Sequence, residues 1–272
     1  MKYDNIYIIT KSRRDLSFLS EVCDIVRFKR GKFDFFADDN ELVFFFPDGR
    51  EIKEPPNIYA KNILNFDLDA ITIASNKIIC RRKLEENNIC IPKTWYRVKN
   101  AKPPYIIRQQ YHSMGQNIEI VKKEREHKFR QVSLRNERGL YFSELLDVDK
   151  EYRAFVLNGG VFLIFDRDWQ GSLKETLLQR DSLRTNNLDF NRREASDDIS
   201  EEYKENCIKA MKAIGLDYGA VDFVIDKKGK MYILELNTRP FMDGKIVQDA
   251  LKKAFQDLKE GIPLTPFKYE VE

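Results

Sequence analysis

The residues best suited to chemistry are Asp222, Glu235, Asn237 and Arg239, all within Gly215–Pro240, G-L-D-Y-G-A-V-D-F-V-I-D-K-K-G-K-M-Y-I-L-E-L-N-T-R-P. Two apolar stretches, Gly219–Ile225 and Met231–Leu236, read as strands joined by a Lys-Lys-Gly turn. Period-2 alternation puts Asp222 and Phe223 on opposite faces of the first strand, and Glu235 and Asn237 on one face of the second. Hard oxygen donors grouped this way suit Mg²⁺, which takes one or two carboxylates and leaves its other positions to water and phosphate. Arg239, two residues past Asn237, could hold an anion beside that metal. An ordinary hairpin with polar residues facing water accounts for E-x-N equally well when it is taken alone.

Three further places carry cations. Lys77 falls in the first turn of a helix expected from about Lys77 to Glu86, capped by Ser75 or Asn76. The helix dipole disfavours a cation there unless it meets an anion, and a solvated lysine is the simpler reading. Arg108 ends a strand, Tyr105–Gln109, that is followed by the loop Tyr111–Gly115 and a second strand, Gln116–Val121. Backbone N–H groups of such a loop can cradle phosphate, although a plain hairpin also contains one glycine. Arg153 and Arg167 begin and end a hairpin turning at Asn158-Gly159, so both could face one cleft or, equally, both could be exposed.

The positioning elements follow in order. Ile6–Thr10, Asp24–Phe28 and Leu42–Phe46 are expected strands, the last closed by Pro47-Asp48-Gly49, and a short helical pattern runs from the polar turn Lys11–Asp15 through Val22. This opening is a small α/β unit without a Gly-rich phosphate fingerprint, expected to shape a substrate cleft, with a linker around Glu54–Asn57. Ile91-Pro92 leads into a strand. Lys122–Lys128 reads as a solvated charged turn, and Leu140–Leu146 as a strand running into Asp147–Lys150. Ser172–Arg193, polar and rich in Asn and Arg, reads as a loop. Ser200–Ile214 is an amphipathic helix burying Tyr203, Cys207, Met211 and Ile214 and ending at Gly215. A last helix covers about Lys245–Leu258, followed by an irregular C-terminus.

Composition narrows the class. A chain of 272 residues with 42% hydrophobic and 33% charged residues has ample material for a core. The 47 basic and 44 acidic residues are interspersed, and a net charge of +3 does not indicate a nucleic-acid partner. No apolar run reaches membrane-spanning length and the N-terminus lacks a signal-peptide core, so a cytoplasmic protein is expected. Four scattered cysteines without C-x-x-C spacing, and only two histidines, argue against zinc and for reduced thiols.

Taken in order, N-K at a helix start, a cation before a Gly-containing hairpin, E-L-L, E-Y-R-A-F-V, T-N-N, G-L-D-Y-G-A-V-D and E-L-N-T-R-P resemble the ATP-grasp superfamily. Within it they look most like the carboxylate–amine ligases of the ribosomal-protein glutamate ligase group. The resemblance runs from about Asn76 to Asp243. It implies an α/β (α+β) fold in which two α+β lobes clasp ATP, residues 73–140 and 141–272, preceded by the small α/β domain 1–72. It implies that Asp222, Glu235 and Asn237 hold two Mg²⁺ ions, for which Mn²⁺ can substitute, on the ATP phosphates. Lys77 and Arg108 would reach the α- and β-phosphates, and the loop carrying His112, Ser113 and Gly115 would close over them. Main-chain groups of Glu144, Leu145 and Leu146 would receive adenine. Arg153, Arg167 and Arg239 would face the transferred phosphate or the acceptor carboxylate, with Asn186 or Asn187 nearby. Arg108 stands where the family usually has Lys, and the loop has fewer glycines than in many members. The implied reaction joins a carboxylate and an amine, small molecules or peptides, through an acyl phosphate; the sequence does not fix the oligomeric state, and the resemblance is compatible with a homo-oligomer. A non-catalytic ATP-binding protein of the same fold, or a module binding metal only, are the competing readings.

Overall fold

The computed structural model describes residues 1–11, 15–28, 33–46, 55–111, 118–134, 137–168, 182–183, 191–194, 199–240 and 244–268. An N-terminal parallel sheet comes first. It comprises β1 (Asn5–Thr10), β2 (Asp24–Arg27), β4 (Glu41–Phe46) and β6 (Asn62–Leu64), in the order β2-β1-β4-β6. Beside it, β3 (Asp34–Phe36) pairs in parallel with β5 (Asn57–Tyr59). The L-V-F-F-F run is buried along its whole length, as a central parallel strand covered on both faces must be. Among the described residues the expected helical pattern between the turn Lys11–Asp15 and Val22 is a single 3₁₀ turn, Ser17–Leu19. Seven residues, Leu16–Val22, are too few to sustain more on their own.

Two helices follow back to back, α1 (Leu68–Ser75) and α2 (Lys77–Glu86). Asp67 caps the first through the Ala70 N–H, and Asn76 caps the second through the N–H groups of Ile78 and Ile79. The chain then builds an antiparallel sheet from β7 (Thr94–Trp95), β8 (Tyr105–Gln109), β9 (Ile118–Val121) and β10 (Leu140–Glu144), with α3 (Glu124–Ser133) across one face. The charged run Lys122–Lys128 is therefore not a solvated turn: most of it opens α3. His127 within it is buried, its Nδ1 3.1 Å from the Tyr105 hydroxyl and its Nε2 2.9 Å from the Gln131 amide nitrogen. Helical spacing buries one side of a charged segment while the rest stays wet, which a count of charges does not reveal.

The third sheet is built on β11 (Val148–Leu157), β12 (Gly160–Asp168), β15 (Tyr218–Asp226) and β16 (Met231–Asn237). The hairpin β11–β12 turns at Asn158 and Gly159, both with positive φ (46° and 73°), the conformation that Asn-Gly tolerates best. The segment read as one polar loop contains two short strands. β13 (Ser182–Leu183) adds to β9, and β14 (Asn191–Glu194) adds to β12. Ladder hydrogen bonds to an existing edge can order a stretch that has few apolar residues of its own. The remaining residues of that stretch lie outside the described ones.

The helix α4 (Glu201–Ile214), ended by Gly215 at φ 87°, packs with α1 and α2 on one face of the third sheet, against Ala154, Val156, Val221, Phe223 and Ile233. The opposite face, with Phe155, Leu157, Tyr218 and Ala220, is covered by α5 (Lys245–Glu260) and by Ile6, Ile8, Phe44 and Phe46 of the N-terminal sheet. Asn65 joins the two units: its N–H donates to Asp217 Oδ2 (2.8 Å) and its side chain to the Phe45 carbonyl (3.0 Å). Among the described residues no helix is long and apolar enough to cross a membrane.

Candidate functional site

The metal-ligand candidates lie on the last two strands of the third sheet. The β15–β16 register sets Asp222 directly opposite Glu235, and Ala220 opposite Asn237. Between Asp222 and Phe223 the partner steps from Glu235 to Ile233, so Leu234 is an extra residue on β16, a β-bulge. The bulge has a consequence that strict alternation misses. It lets Ile233 and Leu236 both enter the core under α2 and α4, while Glu235 and Asn237 share the other face with Asp222.

Hydrogen bonds hold this group together. The Asn237 amide donates to Asp222 Oδ2 (3.0 Å) and Glu235 Oε1 (3.2 Å). Arg153, on the adjacent β11 and opposite Asp222 in register, forks onto it with Nε–Oδ1 at 2.6 Å and Nη2–Oδ2 at 2.7 Å. Lys77 is buried. Its Nζ donates to the Leu236 carbonyl at 2.9 Å and lies 3.9 Å from Glu235 Oε2, while its N–H donates to the Gln110 carbonyl. Burial alone would raise the pKa of Glu235. Lys77, Arg108, the Asn237 hydrogen bond and Arg153 together outweigh it and hold the carboxyl at about 2.

Lys77 from α2 and Arg108 from β8 thus bring positive charge to Glu235, while Arg153 from β11 holds Asp222. Among the described residues no three carboxylate, thiolate or imidazole side chains converge. Two carboxylates and one amide form the sparse all-oxygen set that fits Mg²⁺ completed by water and phosphate oxygens, not a protein cage. The buried thiols of Cys23 and Cys80 are pushed up, to about 12 and about 11, and that of Cys207 is raised as well, so these are not nucleophiles at neutral pH.

The other candidates are placed as follows. Glu144, Leu145 and Leu146 are half-buried where β10 ends, but the N–H groups of Glu144 and Leu145 already donate to the carbonyls of Lys93 (2.9 Å) and Pro104 (3.2 Å). Arg239 is half-buried just past β16. The backbone of Arg167 is opposite Glu151 and Arg192 in the ladder, one row from Arg153. His112, Ser113, Gly115, Asn186 and Asn187 lie outside the described residues. Sequence reasoning passed over Glu151, which is buried and shares a face with Arg153 at i, i+2, a spacing that could have revealed it. It also passed over Arg81, a buried arginine one helical turn after Lys77, which carries no local signal. A cavity of about 510 Å³ opens on the opposite side of the hairpin, between Asn87–Cys90, α4 and β16, and none of the candidates lines it.

The chain resembles known proteins at two levels. A model of the RimK-like ATP-grasp domain matches residues 73–253. Among curated proteins none matches. Among solved structures, the ATP-grasp ligase PsnB complexed with minimal precursor, Mg and ADP superposes with a TM-score of 0.62 at 13% identity, covering 96% of this chain and 99% of that one. The N5-carboxyaminoimidazole synthetase from Staphylococcus aureus complexed with ADP gives a TM-score of 0.62 at 12% identity, covering 98% and 80%. Identities this low speak for the fold alone.

Proposed function

Because the chain belongs to the RimK-like ATP-grasp family, we propose that it is an ATP- and Mg²⁺-dependent carboxylate–amine ligase, working in the cytoplasm on small-molecule or peptide substrates. Asp222, Glu235 and Asn237, converging on one face beside Lys77 and Arg153, are the observation that carries this reading. In the proposed reaction an oxygen of the acceptor carboxylate attacks the γ-phosphorus of ATP. The bond to the β–γ bridging oxygen breaks, and ADP leaves. The amine nitrogen then attacks the acyl carbon, loses a proton, and expels inorganic phosphate as the amide forms.

Bound Mg²⁺, held by Asp222, Glu235 and Asn237, would neutralise phosphoryl charge as it moves to the leaving group. The chain itself supplies donors and positions. Lys77 and Arg108 bind phosphate oxygens, Arg keeping the charge of the usual Lys and adding a fork of donors. Arg153, Arg167 and Arg239 stabilise the transferred group and orient the acceptor carboxylate. Adenine lies against the Glu144–Leu146 hinge, using its carbonyls and the Leu146 N–H, since the other two N–H groups are engaged. The loop 112–115 excludes water from the acyl phosphate, and Asn186 or Asn187 assists beside it. No side-chain nucleophile is required, in keeping with the raised thiols. The domain division at residues 72 and 140 belongs to the same reading.

A thermal-shift titration tests it. ATP with Mg²⁺ at about a hundred times its Kd should stabilise the wild type by about 2.7 kcal/mol. The rise should need Mg²⁺ and shrink in Glu235→Gln, and pools of acids and amines should then release ADP. No rise in the wild type refutes the nucleotide site. A rise without ADP release from broad pools favours a non-catalytic ATP-binding protein.

A further inference from the structure

The strand carrying Glu235 and Asn237 is an edge of its sheet: the strand order ends β11-β15-β16. An edge strand presents a row of outward carbonyls and N–H groups that must be satisfied by something other than a ladder. Here α2 does it. Its Lys77 Nζ donates to the Leu236 carbonyl (2.9 Å) and its Arg81 Nη2 to the Leu234 carbonyl (3.1 Å), while the Ile233 N–H is taken by the Cys90 carbonyl (2.8 Å) beyond the same helix. The periods match. Residues i and i+4 of a helix are about 6 Å apart along its axis, and residues i and i+2 of a strand about 6.8 Å. Lys77 and Arg81 therefore serve the carbonyls of Leu236 and Leu234 as one pair of rungs.

Arg81 holds the rung that matters for register, because Leu234 is the bulge residue. A bulge carbonyl with no defined partner is free to fall back into the regular ladder, and a one-residue slip turns every following side chain to the other face. That slip would send Glu235 into the core and away from Asp222. Arg81 is placed to prevent it. It is buried, its guanidinium is 5.0 Å from the Tyr141 ring centroid, and its other arm, Nη1, donates to Thr94 Oγ1 at 3.0 Å. The Thr94 hydroxyl donates in turn to the Pro92 carbonyl (2.8 Å), and Thr94 pairs with Ser143, one residue before Glu144 of the hinge.

We propose that Arg81 is a positioning residue that fixes the β16 bulge, keeps Glu235 facing Asp222, and ties that carboxylate to the hinge strands β7 and β10. The proposal rests on Asp222, Glu235 and Asn237 being a divalent-metal site. Loss of a group that orients a metal ligand typically weakens metal binding about 10- to 100-fold. Because the link runs through Thr94 to the hinge, it also couples the two ends of the nucleotide site, and such coupling is reciprocal.

The test is Mn²⁺ binding followed by electron paramagnetic resonance, with and without ADP, on folded wild type, Arg81→Met, Arg81→Lys, Thr94→Val and Glu235→Gln. Arg81→Met should weaken Mn²⁺ about 10- to 100-fold and reduce the enhancement of Mn²⁺ affinity by ADP. Arg81→Lys, which keeps the charge and one donor, should restore part of both. If Arg81→Met does not fold, Thr94→Val, which releases one arm only, should still diminish the enhancement. Mn²⁺ affinity lost in Glu235→Gln but unchanged in both the arginine and threonine variants, with only a lowered melting temperature, overturns the positioning role alone. Affinity unchanged in Glu235→Gln as well overturns the metal site and this role with it.

Discussion

Glu235→Gln in the metal-free protein is a sharp test of the site's electrostatics. Gln retains the oxygen that accepts from the Asn237 amide, so the substitution removes charge and little else. The Glu235 carboxyl falls from an ordinary 4.5 to about 2 on folding, although burial opposes the fall, because Lys77, Arg108 and Arg153 surround it. At about 1.4 kcal/mol per tenfold in acidity, that contributes about 3 kcal/mol at neutral pH. A depressed folded-state value fixes the sign. The contribution is complete above pH 4.5 and is lost as pH falls towards 2, with about 2 kcal/mol gone by pH 3. The assay is urea unfolding of both proteins in EDTA from pH 7 to pH 3. The difference between them should be level down to about pH 5 and then shrink. At neutral pH the variant should melt lower by at most about 6–12 °C, taking the roughly 2–4 °C per kcal/mol of chains of about 150–250 residues as the ceiling for one of 272. A variant as stable as the wild type at pH 7, or a difference that does not change with pH, refutes the argument that the three cations hold this carboxylate.

Two further outcomes follow from the same geometry. Asp222→Asn leaves the Arg153 guanidinium largely buried without its charged partner, and breaking one side of such a pair costs about 3–5 kcal/mol. The urea midpoint should fall accordingly, and a loss below about 1 kcal/mol would mean that the fork contributes little. Gly219→Ala places a Cβ 2.7 Å from the Asn237 carbonyl oxygen and 3.1 Å from Met211 Cε. The methionine can turn aside but the strand cannot, so about 1–3 kcal/mol of stability should be lost and Mn²⁺ binding weakened through the displaced Asn237. Unchanged stability and unchanged Mn²⁺ binding would show that β16 gives way freely there.

Much of the site was legible because its residues are ordered by short-range rules. Alternation on two strands and a Lys-Lys-Gly turn suffice to bring Asp222 towards Glu235 and Asn237, and an Asx cap suffices to start α2 at Lys77. What local rules do not reach is the tertiary half. The bulge at Leu234 exists because Ile233 and Leu236 are both wanted in one core, and a demand set by α2 and α4 is invisible within M-Y-I-L-E-L-N. Arg81 reads as one more charge in R-R-K, and only the neighbours Thr94, Tyr141 and Leu234, from three distant strands, make it a buried tie. The same reason hid α1, whose Asp67 cap was readable but whose apolar residues pack on α4 and β16. It also hid β14, which pairs with a strand more than twenty residues before it.

In the described state the cations and carboxylates of the site satisfy one another: Arg153 both oxygens of Asp222, Lys77 and Arg108 the charge of Glu235. Two buried carboxylates facing each other without such partners would be expensive, and one would take up a proton. In the proposed reaction nothing needs to be newly charged. A divalent ion held by Asp222, Glu235 and Asn237 would take over the carboxylates while phosphate oxygens would take over Lys77, Arg108 and Arg153, so that opposite charges would exchange partners. Such an exchange would make ligand and metal bind cooperatively. Phosphate alone would draw the cations away and leave Asp222 and Glu235 uncompensated, while metal alone would crowd the positive charge of Arg153 and Lys77. Each partner removes the penalty the other meets, and Arg81, which belongs to neither group, keeps the strand in place while they change over.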